Sequence, residues 1–86
     1  MTSDVEIQFS SPFKKQYVRL SENQRIQFRV RLTLFLVDRL DPRLRVHPLK
    51  GSYSGYWSFN VNGDIRAIFL ELGDTIILCA CIGTYN

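Results

Sequence analysis

The sequence predicts a small α+β protein: one N-terminal strand, two helices, and then a three-stranded antiparallel meander, with the helices packed on one face of the sheet. A length of 86 residues allows a single hydrophobic core. Helix caps occur in the first half of the chain, and alternating apolar residues separated by tight turns occur in the second half. Apolar side chains make up 45% and charged ones 22%, which is typical of a folded chain and not of a disordered one. We expect one domain over residues 1–86.

The N-terminal segment predicts a strand followed by a short helix. Residues 4–9 alternate polar and apolar side chains, as in a half-buried strand. The apolar side of this strand is formed by Val5, Ile7 and Phe9. Residues 10–12, Ser-Ser-Pro, are typical of a helix start, with a serine cap before a proline in the first turn. The predicted helix repeats its apolar residues at Phe13, Tyr17 and Leu20.

A second helix is predicted behind Ser21 and Gln24, which fit a capping box. Alternation from Ile26 to Leu34 also fits a strand, but the 19 residues 21–39 contain neither Gly nor Pro and are longer than a usual strand. Residues 32–37 would be apolar almost all round this helix. Either the helix is sandwiched between the sheet and the first helix, which is the more frequent case, or one side binds a partner.

Turn residues divide the C-terminal half. Residues 40–53 contain two prolines and a glycine, and we expect an exposed basic loop there. Asn-Gly-Asp at 62–64 and Gly-Asp at 73–74 predict two tight turns. The predicted strands are 56–61, 65–72 and 75–82, and the last is apolar enough to be buried on both faces.

The positive charge is concentrated in one segment. Ten of the eleven basic side chains lie within residues 14–50, against three acidic ones, so this segment carries +7 while the segments on either side carry −2 each. Such a block can bind a polyanion or an acidic protein, although a solvated helical face with scattered arginines gives the same pattern.

Metal, cofactor and membrane sites are not expected. Cys79 and Cys81 would share one face of a strand, too far apart for an unstrained disulfide, and the chain has a single histidine, so a Cys/His metal site is improbable. We expect buried, reduced thiols. No apolar run approaches the roughly 20 residues that cross a bilayer, and residues 1–6 lack a signal-peptide pattern, so a cytoplasmic location is expected.

Three runs of residues resemble the RelE/ParE toxin superfamily of type II toxin–antitoxin systems, and within it the YafQ-like mRNA interferase branch. They are Leu-Arg-Val-His-Pro-Leu-Lys-Gly at 44–51, Gly-Tyr-Trp-Ser-Phe-Asn-Val-Asn-Gly-Asp-Ile-Arg-Ala-Ile-Phe at 55–69, and Ile-Gly-Thr-Tyr at 82–85. The resemblance implies a RelE-like fold and a ribosome-dependent endonuclease that cleaves mRNA and so inhibits translation. It also implies a cognate antitoxin that holds the toxin inactive, the ribosome and mRNA as further partners, and no cofactor.

In such an enzyme a ribose 2′-OH attacks the adjacent phosphate, so a proton acceptor, a proton donor and positive charge are needed. The resemblance assigns these roles residue by residue. His47 matches the loop histidine of the family, Asp64 its carboxylate after the hairpin turn, and Arg66 its arginine on the next strand. Tyr85 stands where the family usually has a histidine or a basic residue.

Four more residues are expected to contact RNA. Arg43, Arg45 and Lys50 would contact backbone phosphates, and Trp57, where the family usually has a basic residue, could stack on a base. Each has an ordinary alternative, a solvated loop for the basic residues and a half-buried strand position for Trp57. Because the sequence departs from the family at Trp57 and Tyr85, two alternatives stay open. They are a non-enzymatic toxin acting on a protein such as DNA gyrase, and a catalytically degenerate antitoxin-binding homologue.

Overall fold

The computed structural model describes residues 5–83, which form two helices and a five-stranded mixed sheet, as the predicted α+β class requires. The elements, in chain order, are β1 (Glu6–Phe9), α1 (Ser11–Val18), α2 (Glu22–Val37), β2 (His47–Pro48), a 3-10 turn (Gly51–Tyr53), β3 (Trp57–Asn60), β4 (Ile65–Leu72) and β5 (Thr75–Gly83). The strand order is β1-β5-β4-β3-β2, with β1 parallel to β5 and the other pairs antiparallel. The predicted meander is therefore β3-β4-β5.

Both helices begin where serine caps predict. The Ser10 hydroxyl accepts a hydrogen bond from the Phe13 backbone N–H at 3.1 Å. Ser21 and Gln24 form the reciprocal capping box, at 3.1 Å and 2.9 Å. Each cap satisfies N–H groups that have no partner inside the helix, which fixes the first turn.

Aromatic rings join the helices to one face of the sheet. Phe35 of α2 stacks on Phe59 of β3 and meets Phe69 of β4 edge-on, with ring centroids 5.0 Å apart in both pairs. Phe28 of α2 contacts Phe13 of α1 at 5.3 Å. These five of the chain's six phenylalanines are buried, so the core lies between the helices and this face of the sheet.

The opposite face of the sheet carries the alternate residues. Side chains on a strand alternate between faces, and residues directly opposite each other on paired strands share a face. Since Phe59 points to the helices, Ser58 and Asn60 point away from them. Their partners on β4 are Ile68 and Arg66, and His47 of β2 is opposite Ser58. His47, Asn60 and Arg66 thus share the face that no helix covers within residues 5–83.

The prediction of an exposed loop over residues 40–53 is wrong in part. Leu44 is completely buried, and its carbonyl oxygen accepts a hydrogen bond from the Asn60 N–H at 2.7 Å. His47 and Pro48 then pair with β3 as an edge strand. Leu44, together with the partly buried Val46, anchors this segment to the core, although the composition of the segment is that of a loop.

On α2 the second of the two alternatives, an apolar side without a partner within residues 5–83, is observed, and the prediction that β5 is buried on both faces is wrong in part. On α2, Phe35 is buried, but Leu36 is 47% and Val37 is 78% exposed, so one apolar side of the helix lacks a partner among the described residues. On β5, Ile76 and Leu78 face the core, whereas Ile77 is half-buried on the other face. The helices cover only one face of the sheet, which explains the difference at β5.

No helix in the described part of the chain has the length and apolar character needed to cross a bilayer.

Candidate functional site

An open pocket of about 700 Å³ lies on the uncovered face of the sheet. Its lining brings together two of the predicted catalytic residues, His47 and Arg66, and one predicted phosphate contact, Arg45. The other lining residues are Val46, Asn60, Asn62 and Gly63. The pocket therefore combines an imidazole, two guanidinium groups and two amide side chains on one surface.

His47 and Arg66 face each other diagonally across β3. His47 is opposite Ser58, and Arg66 is opposite Asn60, two residues further along the same strand. Two strand spacings and two residue rises place their Cα atoms about 12 Å apart. Both side chains can reach a group the size of a phosphate bound between them over Asn60.

The His47 ring is oriented by the backbone beside it. Its Nδ1 lies 2.7 Å from the carbonyl oxygen of Arg45. Because a carbonyl oxygen only accepts hydrogen bonds, Nδ1 carries the hydrogen and Nε2 of the neutral ring can accept a proton. Arg45 adopts φ of 50°, a left-handed conformation that is unusual for a residue other than glycine and that often marks functional sites.

The pocket has unneutralised positive charge. Neither the Arg66 nor the Arg45 guanidinium donates a hydrogen bond or forms an ion pair within residues 5–83. Asp64 is exposed on the turn beside Gly63, but its side chain does not line the pocket, and its carboxylate forms no ion pair with the described residues. Two cations without a carboxylate partner favour an anionic ligand.

Asn60 and Asn62 line the pocket but were not predicted from the sequence. Asn60 could have been found from alternation, because it lies two residues from Ser58 and between the buried Phe59 and Val61. In the sequence, Asn62 indicates only a tight turn.

Three predicted RNA contacts lie outside this pocket. Arg43 forms a two-pronged ion pair with Asp41, Nε–Oδ1 at 2.9 Å and Nη2–Oδ2 at 2.8 Å, which lowers the pKa of that carboxyl to about 2. Lys50 is exposed before the 3-10 turn. Trp57 is opposite Phe69 and so belongs to the helix-covered face, where it is 36% exposed. Tyr85, the remaining predicted site residue, lies outside the described residues.

The thiols and the possible metal ligands do not form a reactive cluster in the described chain. Both cysteines are reduced, and burial raises the pKa of Cys81 to about 11, which keeps it as an unreactive thiol at neutral pH. Between residues 5 and 83, no three His, Cys, Asp or Glu side chains are grouped so that they could hold a metal ion.

Comparisons with known proteins identify the fold. No family model matches the chain, and no curated protein sequence matches it. Among solved structures, YafQ from E. coli strain BL21(DE3) has a TM-score of 0.76 at 21% identity and covers 94% of both chains. A YoeB/ParE toxin from Agrobacterium tumefaciens has a TM-score of 0.75 at 16% identity, covering 94% of this chain and 100% of its own.

A third similar structure is the DinJ-YafQ toxin-antitoxin complex of E. coli. It has a TM-score of 0.72 at 21% identity and covers 92% of this chain and 91% of its own. The resemblance predicted from the sequence is thus confirmed for the fold: the solved structures that this chain resembles are toxins of the RelE/ParE type.

Proposed function

We propose that this protein is the toxin of a type II toxin–antitoxin pair and that it cleaves mRNA on the ribosome. The observation that carries the proposal is the pocket shared by His47 and Arg66 on the open face of the sheet. The similarity to YafQ and to a YoeB/ParE toxin supports the same function, because this chain shares their fold over 94% of its length.

In the proposed reaction His47 is the general base. Its Nε2 accepts the proton of a ribose 2′-OH as the 2′-oxygen forms a bond to the adjacent phosphorus. The bond from phosphorus to the 5′-oxygen breaks, and a 2′,3′-cyclic phosphate and a free 5′-hydroxyl result. The 5′-oxygen takes up a proton, and the proposed donor is the phenol of Tyr85, which stands where the family usually has a histidine or a basic residue. Asp64, near the pocket, can accept a hydrogen bond from a ribose hydroxyl.

Arg66 and Arg45 supply the positive charge. The phosphorane formed during the attack carries more negative charge on its non-bridging oxygens than the starting phosphate does. The Arg66 guanidinium, which has no protein partner among residues 5–83, can donate two parallel hydrogen bonds to these oxygens. Because the ribosome holds the message in place, few catalytic groups are needed.

The test is growth and message integrity after induction of the toxin alone. Wild-type protein is expected to arrest growth, and primer extension on translated mRNA should reveal new 5′ ends. His47→Ala and Arg66→Ala should each relieve the arrest while retaining the wild-type circular dichroism spectrum. Arg19→Ala, which removes one exposed charge on the other side of the core, is the matched control. Full toxicity of both folded pocket variants would refute the assignment of these two residues.

An acidic, partly disordered antitoxin segment is the proposed protein partner. An apolar cleft of about 410 Å³ lies between β1, α1 and α2, with Lys14 and Arg29 among its lining residues. Val18, which also lines the cleft, is 71% exposed. A segment that carries both apolar and acidic side chains can cover this cleft and the basic helices, and it gains order when it binds.

The affinity for the antitoxin should fall as salt is raised, because ion pairs at an exposed surface are screened. Isothermal titration of the purified pair at several salt concentrations measures this. Lys14→Ala and Arg29→Ala should each reduce the salt dependence of the affinity. An affinity of the wild type that does not change with salt concentration would exclude charge as the driving force.

A non-enzymatic toxin is the second candidate. The observation that favours it is that the described pocket lining holds one imidazole, His47, and no carboxylate, so it offers no second acid–base group for proton transfer. Growth arrest with intact mRNA and accumulated cleaved DNA would support this candidate over the nuclease.

A further inference from the structure

The tight turn between β3 and β4 is fixed by the side chain of Asn62. Its Oδ1 accepts hydrogen bonds from the backbone N–H of Asp64 at 2.7 Å and of Ile65 at 2.8 Å. Since two N–H donors converge on this atom, it must be the oxygen of the amide, which determines how the amide group is oriented. The turn that leads into Arg66 therefore has one defined conformation.

The same amide joins this turn to α2. Its Nδ2 donates a hydrogen bond to Oε1 of Gln27 at 2.7 Å, between residues that are 35 apart in the sequence. Gln27 precedes Phe28, whose ring is buried between Phe13 and Phe59. The turn is thus tied to a helix that is itself held by the core.

We propose that Asn62 is a positioning residue of the RNA-cleaving site and that, through Gln27, it holds Arg66 in place relative to His47. This inference rests on the proposed function. Arg66 directly follows Ile65, whose backbone N–H is bound by Asn62. A movement of the turn therefore displaces the Arg66 guanidinium relative to β3. A misplacement of about 1 Å can lower the rate of a reaction by about 100-fold.

The sharpest test removes the anchor and leaves the turn bonds in place. Gln27→Ala deletes the acceptor on α2, and alanine favours a helix at least as much as glutamine does, so α2 is not weakened. We expect kcat for ribosome-dependent mRNA cleavage to fall between about 10- and 100-fold while KM stays within about twofold. Asn23→Ala, on the exposed first turn of the same helix, is the matched control and should keep the wild-type kcat.

Rescue separates positioning from a general contribution to stability. Gln27→Glu keeps an oxygen that accepts from Asn62 and should restore kcat. In the double variant Asn62→Asp/Gln27→Glu, two carboxylates face each other and neither can donate a hydrogen bond. The oxygen that accepts from the turn is kept, so only the contact with α2 is lost. We expect kcat to fall again. Ile76→Val, a core substitution away from the pocket, lowers the melting temperature and should leave kcat unchanged.

The outcomes are distinct. A wild-type protein that cleaves mRNA, together with a Gln27→Ala variant of equal kcat, overturns the positioning role and leaves the proposed function standing. A fall in kcat that Gln27→Glu fails to restore also overturns it. A wild-type protein that leaves translated mRNA intact overturns the proposed function and this inference with it.

Discussion

Ser58 and Phe59 are consecutive residues of β3, both completely buried, with side chains on opposite faces of the sheet. Phe59 stacks with Phe28 and Phe35 in the core. The Ser58 hydroxyl is on the pocket side, opposite His47, and has no hydrogen-bond partner among residues 5–83. Truncation of the Ser58 side chain should therefore raise the free energy of unfolding, and truncation of Phe59 should lower it.

Replacing Ser58 with alanine should raise the free energy of unfolding by about 1 kcal/mol, because the unpaired hydroxyl is lost and with it the cost of keeping it from water. Phe59→Ala should lower the free energy of unfolding by about 3–5 kcal/mol through the cavity it leaves. Urea denaturation of the two variants and the wild type measures both changes. A Ser58→Ala variant that is less stable than the wild type would mean that the hydroxyl has a hydrogen-bond partner in solution.

The helices and the meander could be predicted because their signals are local. The hydrogen bonds that define these features join residues at most four apart in the sequence, at the serine caps Ser10 and Ser21 and at the turn 62–64. The short strand at His47 could not be predicted in this way. It forms because Leu44 is buried and β3 offers a free edge, and neither fact can be inferred from neighbouring residues.

The candidate site could be predicted for residues that belong to a family motif. It could not be predicted for residues whose placement depends on the register of strand pairing. His47 and Arg66 were selected by resemblance, and the pairing of β2, β3 and β4 brings them into one pocket. That same register puts Trp57 on the other face, because its neighbour Ser58 is on the pocket side. Arg43 is instead engaged by Asp41, a contact between two loop side chains.

The tautomer of His47 is a direct consequence of its contact with Arg45. In the neutral ring the hydrogen should reside on Nδ1, which donates to the Arg45 carbonyl oxygen. A long-range proton–nitrogen NMR spectrum of the neutral ring distinguishes the two tautomers, and the chain's single histidine makes the assignment unambiguous. A ring that carries its hydrogen on Nε2 would contradict the proposed general base, since the lone pair would then face the backbone.

Arg66 should be sensitive even to a conservative change. Arg66→Ala should lower kcat for mRNA cleavage by about 100-fold or more, as is usual when a charge-stabilising donor is removed from a transition state. Arg66→Lys keeps the charge but loses the fork of parallel donors, and should recover only part of that rate. Single-turnover cleavage on programmed ribosomes measures both.

The melting temperature is the control for Arg66. Its side chain is exposed and makes no ion pair within residues 5–83, so both variants should have the melting temperature of the wild type. Full activity of Arg66→Lys would show that a point charge suffices and that the fork has no role.

The contact between Asp41 and Arg43 should make the stability of the protein depend on pH in the acid range. Side-chain hydrogen bonds from Arg43, and then the Arg43 backbone N–H, lower the pKa of the Asp41 carboxyl from 3.8 to about 2. The folded protein therefore binds this proton less readily than the unfolded chain does. The resulting stabilisation is complete above about pH 4 and is lost as the pH falls towards about 2.

Asp41→Asn removes this contribution, so the wild type should melt above the variant at neutral pH, and the difference should shrink to nothing in strong acid. Melting temperatures of the two proteins across the acid range give the comparison. Asp74→Asn, at a carboxylate with no ion pair in the described chain, is the matched control and should show no such pH-dependent gap. If the gap between the wild type and Asp41→Asn stayed constant down to the most acid conditions, the carboxylate charge would have no part in it, and the Arg43 contact would act through a neutral hydrogen bond alone.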